Sequence, residues 1–138
     1  MNIFSIYFEK IKKFLIDLEK NKQIKISADL NKLTIELTPK NLQGDISCNA
    51  ALVLSKINNK KPKDIAILLK TNLIKKFPEF KNIFIVEPGF LNIEFHEDFW
   101  QKFLNDLLNK FLIIFFPSLV FFKTYLLLYI LSFKKNLI

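Results

Sequence analysis

Phe90 and Asn92 stand two residues apart in the run Pro88-Gly89-Phe90-Leu91-Asn92-Ile93. Successive side chains of a strand point to opposite faces, so a ring and a carboxamide at this spacing project side by side. The ring can stack on a splayed base while the amide bonds the base edge, which makes the pair a candidate reader of an unpaired nucleotide. The competing reading is that Phe90 packs under a neighbouring helix and Asn92 satisfies backbone groups. Spacing alone does not decide between them.

The elements that must position this pair are legible in the flanking pattern. Pro88-Gly89 suits the central positions of a type II turn, with proline presetting φ and glycine accepting a positive one. Apolar residues at 83–86 and 90–95 predict a strand on each side of the turn. In the second strand Leu91, Ile93 and Phe95 share one face, and Phe90, Asn92 and Glu94 the other. Residues 33–38 alternate and predict a half-buried strand with Leu33, Ile35 and Leu37 inward, ended by Pro39. Three- and four-residue spacing predicts helices over 2–20 (Phe4, Phe8, Ile11, Phe14, Leu15 and Leu18 inward) and over 46–57 (Ala50, Ala51, Leu54 and Ile57 inward, capped by Asp45). A third is expected over 62–76, opened by Pro62, with Ile65, Leu68, Leu69 and Leu73 inward. The last starts at 96 or 97 and turns Phe99, Phe103, Leu104 and Leu107 inward. The order α-β-α-α-β-β-α predicts an α+β fold, a two-layer domain in which a small, mainly antiparallel sheet packs with helices.

Composition narrows the function classes. The chain has 138 residues, enough for one domain with a core. Its net charge is +8, and all 21 basic residues are lysine, which attracts phosphate as a point charge. The plainer account of the lysine clusters at 60–63 and 70–76 is a solvated face, and lysine near a helix C-terminus also suits the dipole. One cysteine, Cys48, excludes an internal disulfide and a cysteine zinc cluster, and fits a cytoplasmic location. The only histidine is His96 and the only glycines are Gly44 and Gly89, so a histidine metal site and a glycine-rich phosphate loop are both excluded. No catalytic residue, cofactor or metal is expected in this chain. The opening lacks a secretory pattern, because charges interrupt its apolar residues early.

From residue 111 the character changes. Residues 111–133 carry one charge, Lys123, and no acid follows Asp106. Two divisions are therefore expected, a domain over 1–110 and an apolar tail over 111–138. About 20 apolar residues are enough to cross a bilayer, and Lys134 and Lys135 would anchor the cytosolic end. Against this, Pro117 interrupts the helix and Lys123 near its middle costs roughly 2.5–3.5 kcal/mol on insertion. A 110-residue domain has little room to bury the tail. The preferred reading is out-of-frame sequence, since AT-rich DNA in a wrong frame yields Phe, Leu, Ile, Tyr and Lys.

Residues 1–110 resemble the N-terminal additional domain of bacterial arginyl-tRNA synthetases, a class I family. The resemblance is carried by Met1-Asn2-Ile3-Phe4, by the strand over 33–37 leading through Pro39 to Gly44-Asp45 and Asn49-Ala50-Ala51, by the Pro62 helix with Ile65-Ala66, and by Pro88-Gly89-Phe90-Leu91-Asn92 followed by an acidic residue and Phe99-Trp100. Gly-Asp-x-x-x-Asn-Ala with Pro-Gly-Phe-x-Asn about 40 positions later is the specific part. The resemblance implies a tRNA-binding domain that grips the D-loop corner, with Phe90 and Asn92 meeting a D-loop base; a monomer is expected. Full family members use ATP to join arginine to tRNA. Their His-Ile-Gly-His-type signature needs two histidines and their Lys-Met-Ser-Lys-Ser-type loop an internal methionine, and this sequence has neither. A truncated arginine--tRNA ligase, inactive alone, is the expectation. The alternatives are a small tail-anchored membrane protein with an α+β cytosolic domain and a stand-alone RNA-binding module.

Overall fold

The computed structural model describes residues 2–26 and 30–115. The chain separates into two units, Met1–His96 and the segment that opens at Glu97. In the first, the sequence periodicities produce α1 (Ile3–Lys20), β1 (Ile35–Leu37), β2 (Ile46–Cys48), α2 (Ala50–Ser55), α3 (Pro62–Lys76), β3 (Phe80–Val86) and β4 (Phe90–Phe95), with a 3-10 turn at Leu30–Lys32. Every expected element is present in the expected order, and β2 is an additional strand. The fold is α+β with one four-stranded sheet, order β1-β2-β4-β3, antiparallel throughout.

The strand β2 occupies the start of the helix expected over 46–57, and that helix begins only at Ala50. Asp45 is accordingly no cap. Its backbone N–H donates to the Ile93 carbonyl at 2.8 Å, and its carboxylate accepts from the Phe95 N–H at 2.8 Å, so it prolongs the β2–β4 ladder. Asn49 sits at the helix start without a side-chain cap bond. Its amide instead accepts from Thr34 N–H at 2.8 Å and donates to Lys32 C=O at 2.9 Å, tying β1 to the start of α2. The Gly-Asp-x-x-x-Asn-Ala run is thus a set of staples across the sheet.

One face of the sheet is the core. Ile35, Ile46, Cys48, Ile83, Leu91, Ile93 and Phe95 are buried on it, with Ile11, Leu15 and Leu18 of α1, Ala50, Ala51 and Leu54 of α2, and Ile65, Ala66, Leu69 and Leu73 of α3. The three alanines are fully buried, which lets backbones approach closely. Burial pushes the Cys48 thiol up to about 12, so it is a neutral core group rather than a nucleophile. Leu37, expected inward, is 68% exposed, because β1 is an edge strand whose contribution to the core is Ile35.

Tyr7 is a core residue that lies outside the expected inward stripe of Phe4, Phe8, Ile11, Phe14, Leu15 and Leu18. Its ring packs on Phe95 and Phe80, with centroids 4.8 and 5.5 Å away, and its hydroxyl donates to Glu79 Oε1 at 2.9 Å. Lys10 donates to the same oxygen at 2.8 Å. Burial alone would raise the Glu79 carboxyl, but hydrogen bonds from Lys10, from its own backbone N–H and from Tyr7, and the Lys10 charge, outweigh it and hold the group below the usual carboxylate range. Burial, then the Glu79 bond and charge, pushes the Tyr7 phenol well above its ordinary value. Tyr7→Phe is expected to lower stability by about 1–2 kcal/mol at neutral pH. Because the folded-state carboxyl sits below its unfolded value, this contribution is present above the unfolded Glu pKa and fades as pH falls through the folded one. Urea midpoints of wild type and variant should therefore converge in acid, and a pH-independent gap would show that Glu79 is not the partner that matters.

The second unit contributes one described element, α4 (Glu97–Phe115), with Glu97 and Asp98 in its first turn, where acids suit the dipole. Phe99, Trp100 and Phe103 form a ring cluster along it, with centroids 5.4 to 6.1 Å apart. Leu104, expected inward, and Leu108 are exposed. The helix runs unbroken across position 110. No helix among the described residues is long and apolar enough to cross a membrane. The reading of 111–138 as an out-of-frame or membrane tail falls, beyond residue 115, outside the described residues.

Candidate nucleic-acid interface

Strand alternation turns the other face of the sheet away from the core. The pairing places Ser47 and Phe84 on either side of Asn92, and Val86 opposite Phe90. Phe90 is carried into this face by the turn that precedes β4. That turn differs from the expected type II. The Val86↔Phe90 pair leaves three residues to reverse the chain, and Gly89 N–H donates to Val86 C=O at 2.9 Å. That bond puts Pro88 at the third turn position rather than the second, and the Glu87–Pro88 peptide is cis. Gly89 lies against α3, where an added Cβ would stand 2.7 Å from the Pro62 Cβ. Glu87 reaches Lys63 at 3.5 Å, an exposed pair of little energetic weight.

Phe90 and Asn92 share the face, as the alternation predicts, but at different depths. Phe90 is half-buried, whereas Asn92 is 1% exposed. Gly44, at φ +110°, lies on the Asn92 backbone, and a Cβ there would stand 3.0 Å from the Asn92 Cβ. The ladder bond from Asp45 to Ile93 holds Gly44 in that place. Both amide atoms of Asn92, Nδ2 and Oδ1, find no hydrogen-bond partner among the described residues. Each unpaired buried polar atom costs roughly 1–3 kcal/mol, so a sheet that keeps such an amide gives up stability at that position. The amide thus does not satisfy backbone groups, which was the competing reading of Asn92.

The surroundings are polar on one flank and apolar on the other. Ser47 and Glu36 continue the row from Asn92 towards the β1 edge, and Phe84 faces it from the β3 edge. Glu94, two residues along from Asn92, is neutralised by Lys81 at 2.7 Å. Among the described residues no group of three or more His, Cys, Asp or Glu is arranged to hold a metal ion. Phe84 and Ser47 were not legible as members of this face, because cross-strand register is not readable from one strand's alternation.

Residues 7–95 match the model of the family described as Arginyl tRNA synthetase N terminal domain. The chain is similar to the arginine--tRNA ligase of Pelagibacter ubique, 36% identical over 107 residues, which cover 78% of this chain and 18% of the relative. It is similar to that of Bartonella henselae, 33% identical over 110 residues, covering 80% and 19%. It is also similar to that of Lawsonia intracellularis, 39% identical over 79 residues, covering 57% and 14%. The chain spans less than a fifth of the length of these curated relatives.

Proposed function

Since the chain belongs to the arginyl tRNA synthetase N terminal domain family, we propose that it is a tRNA-recognition domain whose open sheet face, through Phe90 and Asn92, meets an unpaired base of the D-loop corner. The observation that carries this reading is the Asn92 amide, buried and unpartnered beside a half-buried ring on the side of the sheet away from the core. A base stacked on Phe90 lies beside Asn92, whose amide is sealed in the free domain and must turn outward to meet the base edge. The lysine excess supplies attraction to the phosphate backbone without base preference.

In this reading the 138 residues bind tRNA and perform no arginylation alone. On this reading the ATP-dependent joining of arginine to tRNA lies outside this chain, which covers 18% and 19% of two of the ligases it resembles. The domain acts as a monomer in the cytoplasm and needs no cofactor or metal of its own.

The test is titration of the full chain with an arginine-accepting tRNA transcript, read by fluorescence anisotropy. Binding should weaken steeply with added salt, and Phe90→Ala and Asn92→Ala should each raise Kd about tenfold. Wild-type affinity in both variants removes these residues from the interface. In parallel, the chain mixed with ATP, arginine and tRNA should form no arginyl-tRNA, and charging above background would overturn the inactive reading.

A further inference from the structure

We propose that Phe84 is a second stacking surface, so that the open face receives two adjacent unpaired nucleotides of an RNA rather than one. The proposal rests on the RNA-binding reading above.

Register carries it. Phe84 lies directly across from Asn92, and Val86 directly across from Phe90. Phe84 and Phe90 are therefore diagonal neighbours on one face, roughly 7–8 Å apart at the backbone. The unpartnered Asn92 amide stands at the corner between them, flanked by Phe84 on one side and by Ser47 on the other.

Burial supports the same conclusion. Ile83, the neighbour of Phe84 in β3, points into the core and is 0% exposed. Phe84 points the other way, on an edge strand, and is half-buried like Phe90. An aromatic ring on the non-core face adds little to the core, yet it offers a π-surface that accepts any base. An antiparallel four-stranded sheet with two open-face aromatics is an arrangement that can hold successive splayed bases, one per ring. On this row of the sheet Ser47 and Glu36 are not rings, so among the strand residues paired with Asn92 the second stacking surface lies towards β3.

The experiment uses the full chain and an arginine-accepting tRNA transcript. Phe84→Leu, which keeps apolar volume and removes the ring, should raise Kd about tenfold with an unchanged urea midpoint, and Phe84→Tyr should restore binding. A readout that a packing role would not move is fluorescence. In a Trp100→Phe background, Phe84→Trp places the only tryptophan at the proposed surface, and bound RNA should quench it by stacking. If Phe84→Leu binds like wild type while Phe90→Leu is weak, Phe84 is no platform and the RNA-binding reading stands without it. If both variants bind like wild type, RNA does not dock on this face, and the placement of the interface at Phe90 fails together with this inference. If Phe84→Leu loses stability as well as binding, the tryptophan decides: no quenching, or no binding by the Phe84→Trp variant, overturns the proposal.

Discussion

Gly89→Ala is expected to destabilise the domain by about 3 kcal/mol, the sum of overpacking at a well-filled contact and a backbone conformation that alanine disfavours. The added Cβ would stand 2.7 Å from the Pro62 Cβ, 3.3 Å from the Pro62 carbonyl carbon and 3.4 Å from Leu52 Cδ2. The first two atoms belong to a proline at the start of α3, which has no flexible end to swing aside. Relief therefore requires the β3–β4 turn to lift away from α3, and that turn positions Phe90. A urea titration should show a lower midpoint with an unchanged slope. An unchanged midpoint would mean that the turn and α3 do not touch as described.

Asn92→Leu is expected to act in the opposite sense on stability and strongly on binding. Replacing an unpaired buried amide with an apolar group of the same branching removes two unsatisfied atoms and should raise unfolding free energy by about 2 kcal/mol. The same change deletes the donor and acceptor proposed to meet the base, so Kd for tRNA should rise about tenfold or more. Chemical denaturation and anisotropy titration on one preparation check both halves. A variant less stable than wild type would show that the amide has a partner, such as an ordered water, that contributes to the fold.

The long, regular elements were readable from the sequence. The period of α1, Pro62 at the head of α3 and the apolar runs around Pro88-Gly89 each have one dominant physical interpretation. What escaped had two plausible ones. Ile46, Ala50 and Leu54 fall at helical spacing behind an aspartate that suits a cap, yet the first three residues of that stretch pair with Leu91–Ile93, because tertiary pairing overrode a local pattern. Tyr7 escaped because the inward stripe of α1 was drawn through Phe4 and Phe8 on either side of it, and its partner Glu79 lies 72 positions away. At the candidate site, alternation placed Phe90 and Asn92 on one face but could not give depth. Asn92 is buried because Gly44 lies on it from a distant part of the chain. The same limit hid Phe84 and Ser47, which join the face only through register with β3 and β2.

The strand order has a consequence for how the chain is made. The middle of the sheet is β2 against β4, and these strands are separated in sequence by α2, α3 and β3. During synthesis β2 emerges early but has only the short edge strand β1 to pair with until Phe95 has left the ribosome. Until then the apolar sides of α1, α2 and α3 have no completed sheet to cover. Closure is a late, long-range event, and the nascent chain is a client for holding chaperones over most of its length. Arrested chains ending before residue 90 should bind such chaperones and be cut readily by protease, whereas chains with β4 fully emerged should resist both.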